Sequence, residues 1–137
     1  MAEPATPLTD SDYAALAGFR YALRRFQAFS EARAIEQGLT PQQHQALLAI
    51  RSATPDPPTI GDIARHLLLK PHSATGLINR LEDQGWIERI AAAEDRRRAR
   101  LRLTAKASDA LAALSAAHRD EIRRMRPVLE EMLASIG

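Results

Sequence analysis

Apolar residues recur along this chain at two periods, and the change of period marks out its elements. Leu16, Phe19, Leu23 and Phe26 follow at spacings of three, four and three. That spacing lines one face of a helix, expected from about Ser11 to Gln37 and ended by Gly38. Thr40-Pro41-Gln42-Gln43 is a second start signal: a capping Thr, a Pro at the first helical position, and a Gln three residues after the cap. The helix it opens carries Leu47, Leu48 and Ile50 and stops near Ser52. Thr54-Pro55-Asp56-Pro57-Pro58 cannot be helical, because proline lacks the amide donor and restricts the residue before it. Thr59 then caps a third helix, with Asp62 at its third position and Ile63, Ala64, Leu67 and Leu68 as its buried face.

Lys70-Pro71 closes that helix and opens a fourth, to about Gln84, in which Ala74, Leu77, Ile78 and Leu81 point inward. Its outer face is then His72, Ser73, Thr75, Gly76, Asn79 and Arg80. Gly85 ends it. The period now shortens: residues 86–90 read as a strand and residues 100–103 as its antiparallel partner, with residues 91–99 as the connecting loop. From Thr104 the chain is helical again, with Leu111, Leu114, Ile122, Met125, Leu129, Met132 and Leu133 on a stripe too long for a small domain to cover alone. Pro127 is expected to kink or restart this helix. Residues 1–10 carry no pattern and are expected to be disordered.

The fold class is therefore mainly α with a small β-hairpin wing: a winged helix-turn-helix with N- and C-terminal dimerisation helices. A single domain covers residues 11–137, with helices 11–37 and 104–136 for dimerisation and residues 40–103 as a DNA-binding lobe. A helix fits the major groove, where its exposed side chains reach base edges, and arginines on a wing reach phosphates or the minor groove alongside. Asn79, with an amide donor and acceptor, is suited to adenine.

Composition narrows the alternatives. At 137 residues, 45% hydrophobic and 26% charged, the chain fits one globular domain. With no cysteine it has no disulfide, thiolate zinc site or thiol switch. No leader pattern or membrane-length apolar run is present, which points to the cytoplasm. The net charge of +2 is small, yet Arg96, Arg97, Arg98, Arg100 and Arg102 crowd one segment against only Glu94 and Asp95. Alone, such a run is a solvated surface; on a hairpin beside an exposed helix it becomes a phosphate contact.

The run Ala74-Thr75-Gly76-Leu77-Ile78-Asn79-Arg80-Leu81, then Gly85-Trp86-Ile87-Glu88-Arg89, then Asp95-Arg96-Arg97 with Leu103-Thr104 after five residues, resembles the MarR family of bacterial regulators. The wing signature Asp-x-Arg, five residues, Leu-Thr is met by Asp95, Arg97, Leu103 and Thr104 without a gap. The resemblance implies a homodimer with interlocked terminal helices on a pseudo-palindromic operator of double-stranded DNA. It further implies repression, and release by a small aromatic or anionic effector. Carried over, Arg97 is the wing contact and Asp95 orients it, while Thr75, Asn79 and Arg80 face DNA. Gly76 stands where many relatives have Arg, shifting the burden to His72, Ser73 and Asn79. Ala107 replaces a usual Gly, and the family's last two helices are expected here as one kinked helix.

Other readings are weaker. There is no Gly-x-Ser-x-Gly turn, phosphate-cradling glycine loop or His-Glu-x-x-His helix to support an enzyme, and nothing calls for a cofactor. A winged helix can instead bind a protein partner. A metal sensor would need His44 and His118 to converge with Glu121 nearby. Tyr13, Arg20, Tyr21 and Arg24 are candidates to line an effector pocket. Trp86 reads as packing at the foot of the wing.

Overall fold

A computed structural model describes residues 5–92 and 95–136, with side chains described for residues 5–90 and 99–136. The elements are α1 (Asp10–Glu36), α2 (Pro41–Ser52), α3 (Ile60–Leu67), α4 (Pro71–Asp83), β1 (Ile87–Ala92), β2 (Asp95–Leu103) and α5 (Ala105–Ile136). They group into two compact units: the described residues up to Ser30 with those from Ala117 on, and Glu31–Ala116. We call these the terminal and central units.

Local chemistry sets the boundaries. Three reciprocal capping boxes start helices. In α2, Gln43 N–H donates to Thr40 Oγ1 at 3.1 Å and Thr40 N–H donates to Gln43 Oε1 at 3.0 Å. Thr59 and Asp62 do the same for α3 at 3.2 and 2.9 Å. The third box was not anticipated: Thr9 and Asp12 exchange bonds of 2.9 and 3.2 Å at the head of α1. Of the segment expected to be disordered, residues 1–4 lie outside the described residues, and residue 9 is spent on this cap.

Two helix faces differ from expectation. Leu68 was assigned to the buried face of α3 but is 92% exposed. The helix ends one residue earlier, at Leu67, and Leu68 takes a left-handed φ of 57° while the Leu69 amide donates back to the Ala64 carbonyl at 2.8 Å. Leu48 is likewise exposed, because Ala46, Leu47, Ala49 and Ile50 already complete the inner face of α2. In α5 the chain stays helical through Pro127. The flanking Arg123, Arg124, Arg126 and Val128 are exposed, so hydration of this stretch is compatible with the missing amide bond.

The hairpin is longer than expected. Ile87 pairs with Leu103, Glu88 with Arg102, Arg89 with Leu101 and Ile90 with Arg100; the register then shifts, and Ala92 pairs with Asp95. Residues 95–99, expected in a loop, are thus strand. The base of the hairpin is tied to the proline loop: the Leu101 amide donates to the Pro58 carbonyl at 2.8 Å, and Thr59 bridges to Arg100.

The central unit closes a core. Leu47, Ile63, Leu77, Ile78, Leu81, Ile87 and Leu101 are its largest fully buried side chains, with Trp86, Leu111 and Leu114 packed among the same cluster. Trp86 is buried at the foot of the wing as expected, with the Lys106 ammonium 4.0 Å from its ring centroid. In the terminal unit His118 Nε2 is 2.8 Å from Ser30 Oγ and lies edge-on to Phe26 and Phe29.

Candidate nucleic-acid interface

Burial along α4 separates its two faces. Ala74, Leu77, Ile78 and Leu81 are buried, while His72, Ser73, Thr75, Asn79 and Arg80 are exposed and Gly76 is partly so. The apolar spacing that buries one stripe leaves the other in solvent. Pro71 is the first helical residue, with Lys70 at the cap making no side-chain capping bond. At the other end Gly85 adopts φ of 78° and turns the chain into β1.

Not every exposed polar group on α4 is unengaged. Thr75 Oγ1 donates to the Pro71 carbonyl at 3.0 Å, so its hydroxyl is turned back along the helix. Arg80 lays a terminal nitrogen over Gly76, 3.6 Å from where a Cβ would stand. A Cβ at residue 76 would thus meet Arg80 at ordinary van der Waals distance. Asn79 Oδ1 accepts from Arg89 Nη2, and Arg89 Nε donates to Glu82 Oε1 at 3.3 Å, with Glu82 Oε2 in ion-pair contact at 3.2 Å. Sequence reasoning did not single out Arg89. The available signal was strand alternation: Arg89 shares a face with Ile87, which is buried.

The backbone places Asp95, Arg96, Arg97 and Arg98 on β2. Their side chains lie outside those described, so the orienting role assigned to Asp95 stays an expectation. Farther along the strand, Arg102 is paired with Glu88 at 2.9 Å directly across the ladder. Arg100 donates to the Pro57 carbonyl at 2.6 Å. These two arginines are thus engaged in holding the wing.

At the head of α3 the Asp62 carboxyl is held below its ordinary 3.8. The Thr59 amide does most of this, followed by the Thr59 hydroxyl and the charges of Arg65 and Arg100, against some desolvation.

Elsewhere, His44 belongs to the central unit and His118 to the terminal unit. Among the described residues no group of three His, Cys, Asp or Glu could hold a metal ion. A cavity of about 750 Å³ in the terminal unit is lined by Tyr21, Arg25, Arg124, Met125 and Met132 among others. Of the four residues suggested for an effector pocket only Tyr21 borders it; Tyr13, Arg20 and Arg24 do not. No helix among the described residues is long and apolar enough to cross a membrane.

A helix pair, a strand pair and an exposed second helix define a winged helix-turn-helix. The MarR family model matches residues 37–98, from the end of α1 into the wing. Over this segment the chain is similar to the MarR family. The chain is also 39% identical over 67 residues to the transcriptional activatory protein BadR of Rhodopseudomonas palustris, a stretch covering 47% of this chain and 38% of that protein. The match thus spans well under half of the curated relative. In fold the chain is similar to the Staphylococcus aureus MepR–DNA complex, with TM-score 0.66, 24% identity, and coverage of 87% of this chain and 98% of that one. It is similar too to the YusO protein of Bacillus subtilis, with TM-score 0.67, 23% identity, and coverage of 95% and 93%.

Proposed function

We propose that the protein is a cytoplasmic, non-enzymatic transcriptional regulator that binds double-stranded DNA as a homodimer and represses by occupying a pseudo-palindromic operator. The observation that carries this is the division of α4 into a fully buried stripe and an exposed polar face, inside the segment that matches the MarR family. His72, Ser73, Thr75, Gly76, Asn79 and Arg80 face the major groove. Arg96, Arg97 and Arg98 contact phosphate or the minor groove, with Asp95 fixing the direction of Arg97. That the MepR structure is a DNA complex supports this use of the fold.

Dimerisation through helices 11–37 and 104–136 is supported by the exposure of Leu16, Phe19, Ile122 and Leu133 in the single chain. A small aromatic or anionic effector releases the DNA in this reading. The relative BadR is named an activator, so a reporter driven from the operator tests the sign: expression falls on supplying a repressor.

Selection of bound fragments from random or genomic DNA tests the core of the proposal. The expected product is an inverted repeat with half-site centres about 10 bp apart, bound less tightly as salt rises. Arg97→Ala should cost roughly tenfold in affinity and flatten the salt dependence by about one counterion per subunit. Asp95→Ala should also weaken binding, although it removes a negative charge facing DNA. No enriched sequence, or salt-independent binding to a protein partner, sinks the reading.

A further inference from the structure

We propose that Arg89, on the first wing strand, is a positioning residue for Asn79: it fixes which end of the Asn79 amide faces outward and so sets which base the recognition helix accepts. This rests on the reading of α4 as the helix that meets DNA. Asn79 and Glu82 lie three residues apart on α4 and so share a face. Arg89 reaches back across them after the turn at Gly85. Its Nη2 donates to Asn79 Oδ1 and its Nε to Glu82 Oε1 at 3.3 Å, with Glu82 Oε2 in ion-pair contact at 3.2 Å. Nε and Nη2 form one edge of the rigid guanidinium, so the two contacts together fix the plane of the arginine.

This anchoring decides the amide orientation. If the Asn79 amide were flipped, its NH2 would meet the guanidinium N–H donor to donor. The oxygen therefore faces Arg89, and Nδ2 is the end left for a base. An asparagine that pairs with adenine in the bidentate manner needs both its oxygen and its nitrogen there. Asn79 offers donors, which suit the adjacent N7 and O6 acceptors of guanine. The adenine preference expected from the residue type alone is thereby replaced by guanine.

Lysine at residue 89 keeps the charge but has no two-donor planar edge, so Arg89→Lys isolates the positioning role. Random-sequence selection with the 137-residue chain should return guanine at one position in each half-site. Arg89→Lys should erode that preference about tenfold or move it to adenine, with binding to non-operator DNA and the thermal midpoint unchanged. In an Asn79→Ala background, Arg89→Lys should have no further effect on base preference. Glu82→Gln, which loosens the other anchor, should shift the same position in the same direction, and carries the test if Arg89→Lys does not fold. The proposal is overturned if Arg89→Lys weakens binding equally on every sequence. It is overturned also if its effect adds to that of Asn79→Ala, or if Asn79→Ala leaves base preference untouched while DNA is still bound. In that last case the regulator reading stands; failure of the wild-type protein to select any sequence overturns both.

Discussion

The central and terminal units draw on the same kinds of apolar side chain and treat them differently. In the central unit Leu47, Ile63, Leu77, Ile78, Leu81, Ile87 and Leu101 are fully buried. In the terminal unit Leu16, Phe19, Leu23, Ile122 and Leu133 remain 39–72% exposed, and Ala15 is its sole buried hydrophobic among the described residues. Apolar residues at helical spacing are present in both. The lesson is that spacing establishes that a face exists, whereas its covering is a property of the assembled molecule. A domain with its own core can fold by itself; a pair of helices with an open stripe depends on what covers it.

That contrast can be broken most severely at the stripe. Phe19→Glu puts a charge on the face proposed to be covered by a second copy, where desolvating it unpaired costs several kcal/mol. The expected result is a monomer by analytical ultracentrifugation, with loss of helical signal from α1 and α5 and retention of the central unit's tertiary signal. A Phe19→Glu protein that stays dimeric removes this stripe from the interface.

Next in size is Leu81→Ala in the closed core. A leucine that is 0% exposed leaves a cavity when truncated, at a cost of about 2–5 kcal/mol. Denaturant unfolding should register this in the central unit, while Leu48→Ala, on the same unit's exposed side, should fall within about 0.5 kcal/mol of wild type. Equal losses at the two positions would mean that Leu48 is covered in the protein in solution.

The smallest effect sharpens the comparison at a helix end. Thr59→Ala should cost about 1 kcal/mol by removing the hydroxyl that caps α3. The carboxylate of the same box titrates lower in the folded protein than in the unfolded chain. Its stabilising contribution is therefore complete above the unfolded value, near 4, and disappears as pH falls through the lowered folded value. Asp62→Asn should be less stable than wild type at pH 7, and the gap should close on acidification below pH ~4. A gap that widens in acid would reverse the assigned direction.

How much of this was legible depended on how local the determinant was. The boxes at Thr40 and Thr59 are written in four consecutive residues and were read correctly, as were all four inward residues of α4. The box at Thr9 has the same form but lies well ahead of Leu16, where the apolar period begins, so the start of α1 was set a residue late. Strand β2 begins at Asp95, but Asp95-Arg96-Arg97-Arg98 has no apolar alternation, and only pairing with β1 makes it a strand. The exposed face of α4 was likewise visible as the complement of the buried one. The contact of Arg89 with Asn79 was not, because it joins residues ten apart through a turn whose geometry the sequence does not specify.

Leu68 shows what that dependence on geometry leaves open to change. It is a non-glycine residue at φ of 57°, nearly bare to solvent, closing a helix where glycine is the usual choice. A branched side chain there carries a backbone penalty of roughly 1–2 kcal/mol and recovers little of it by burial. The demands of the fold therefore do not explain the leucine. For anyone engineering this scaffold, residue 68 is a reserve of stability: glycine or asparagine would relieve the strain without disturbing the buried cluster, the capping boxes or the outward face of α4.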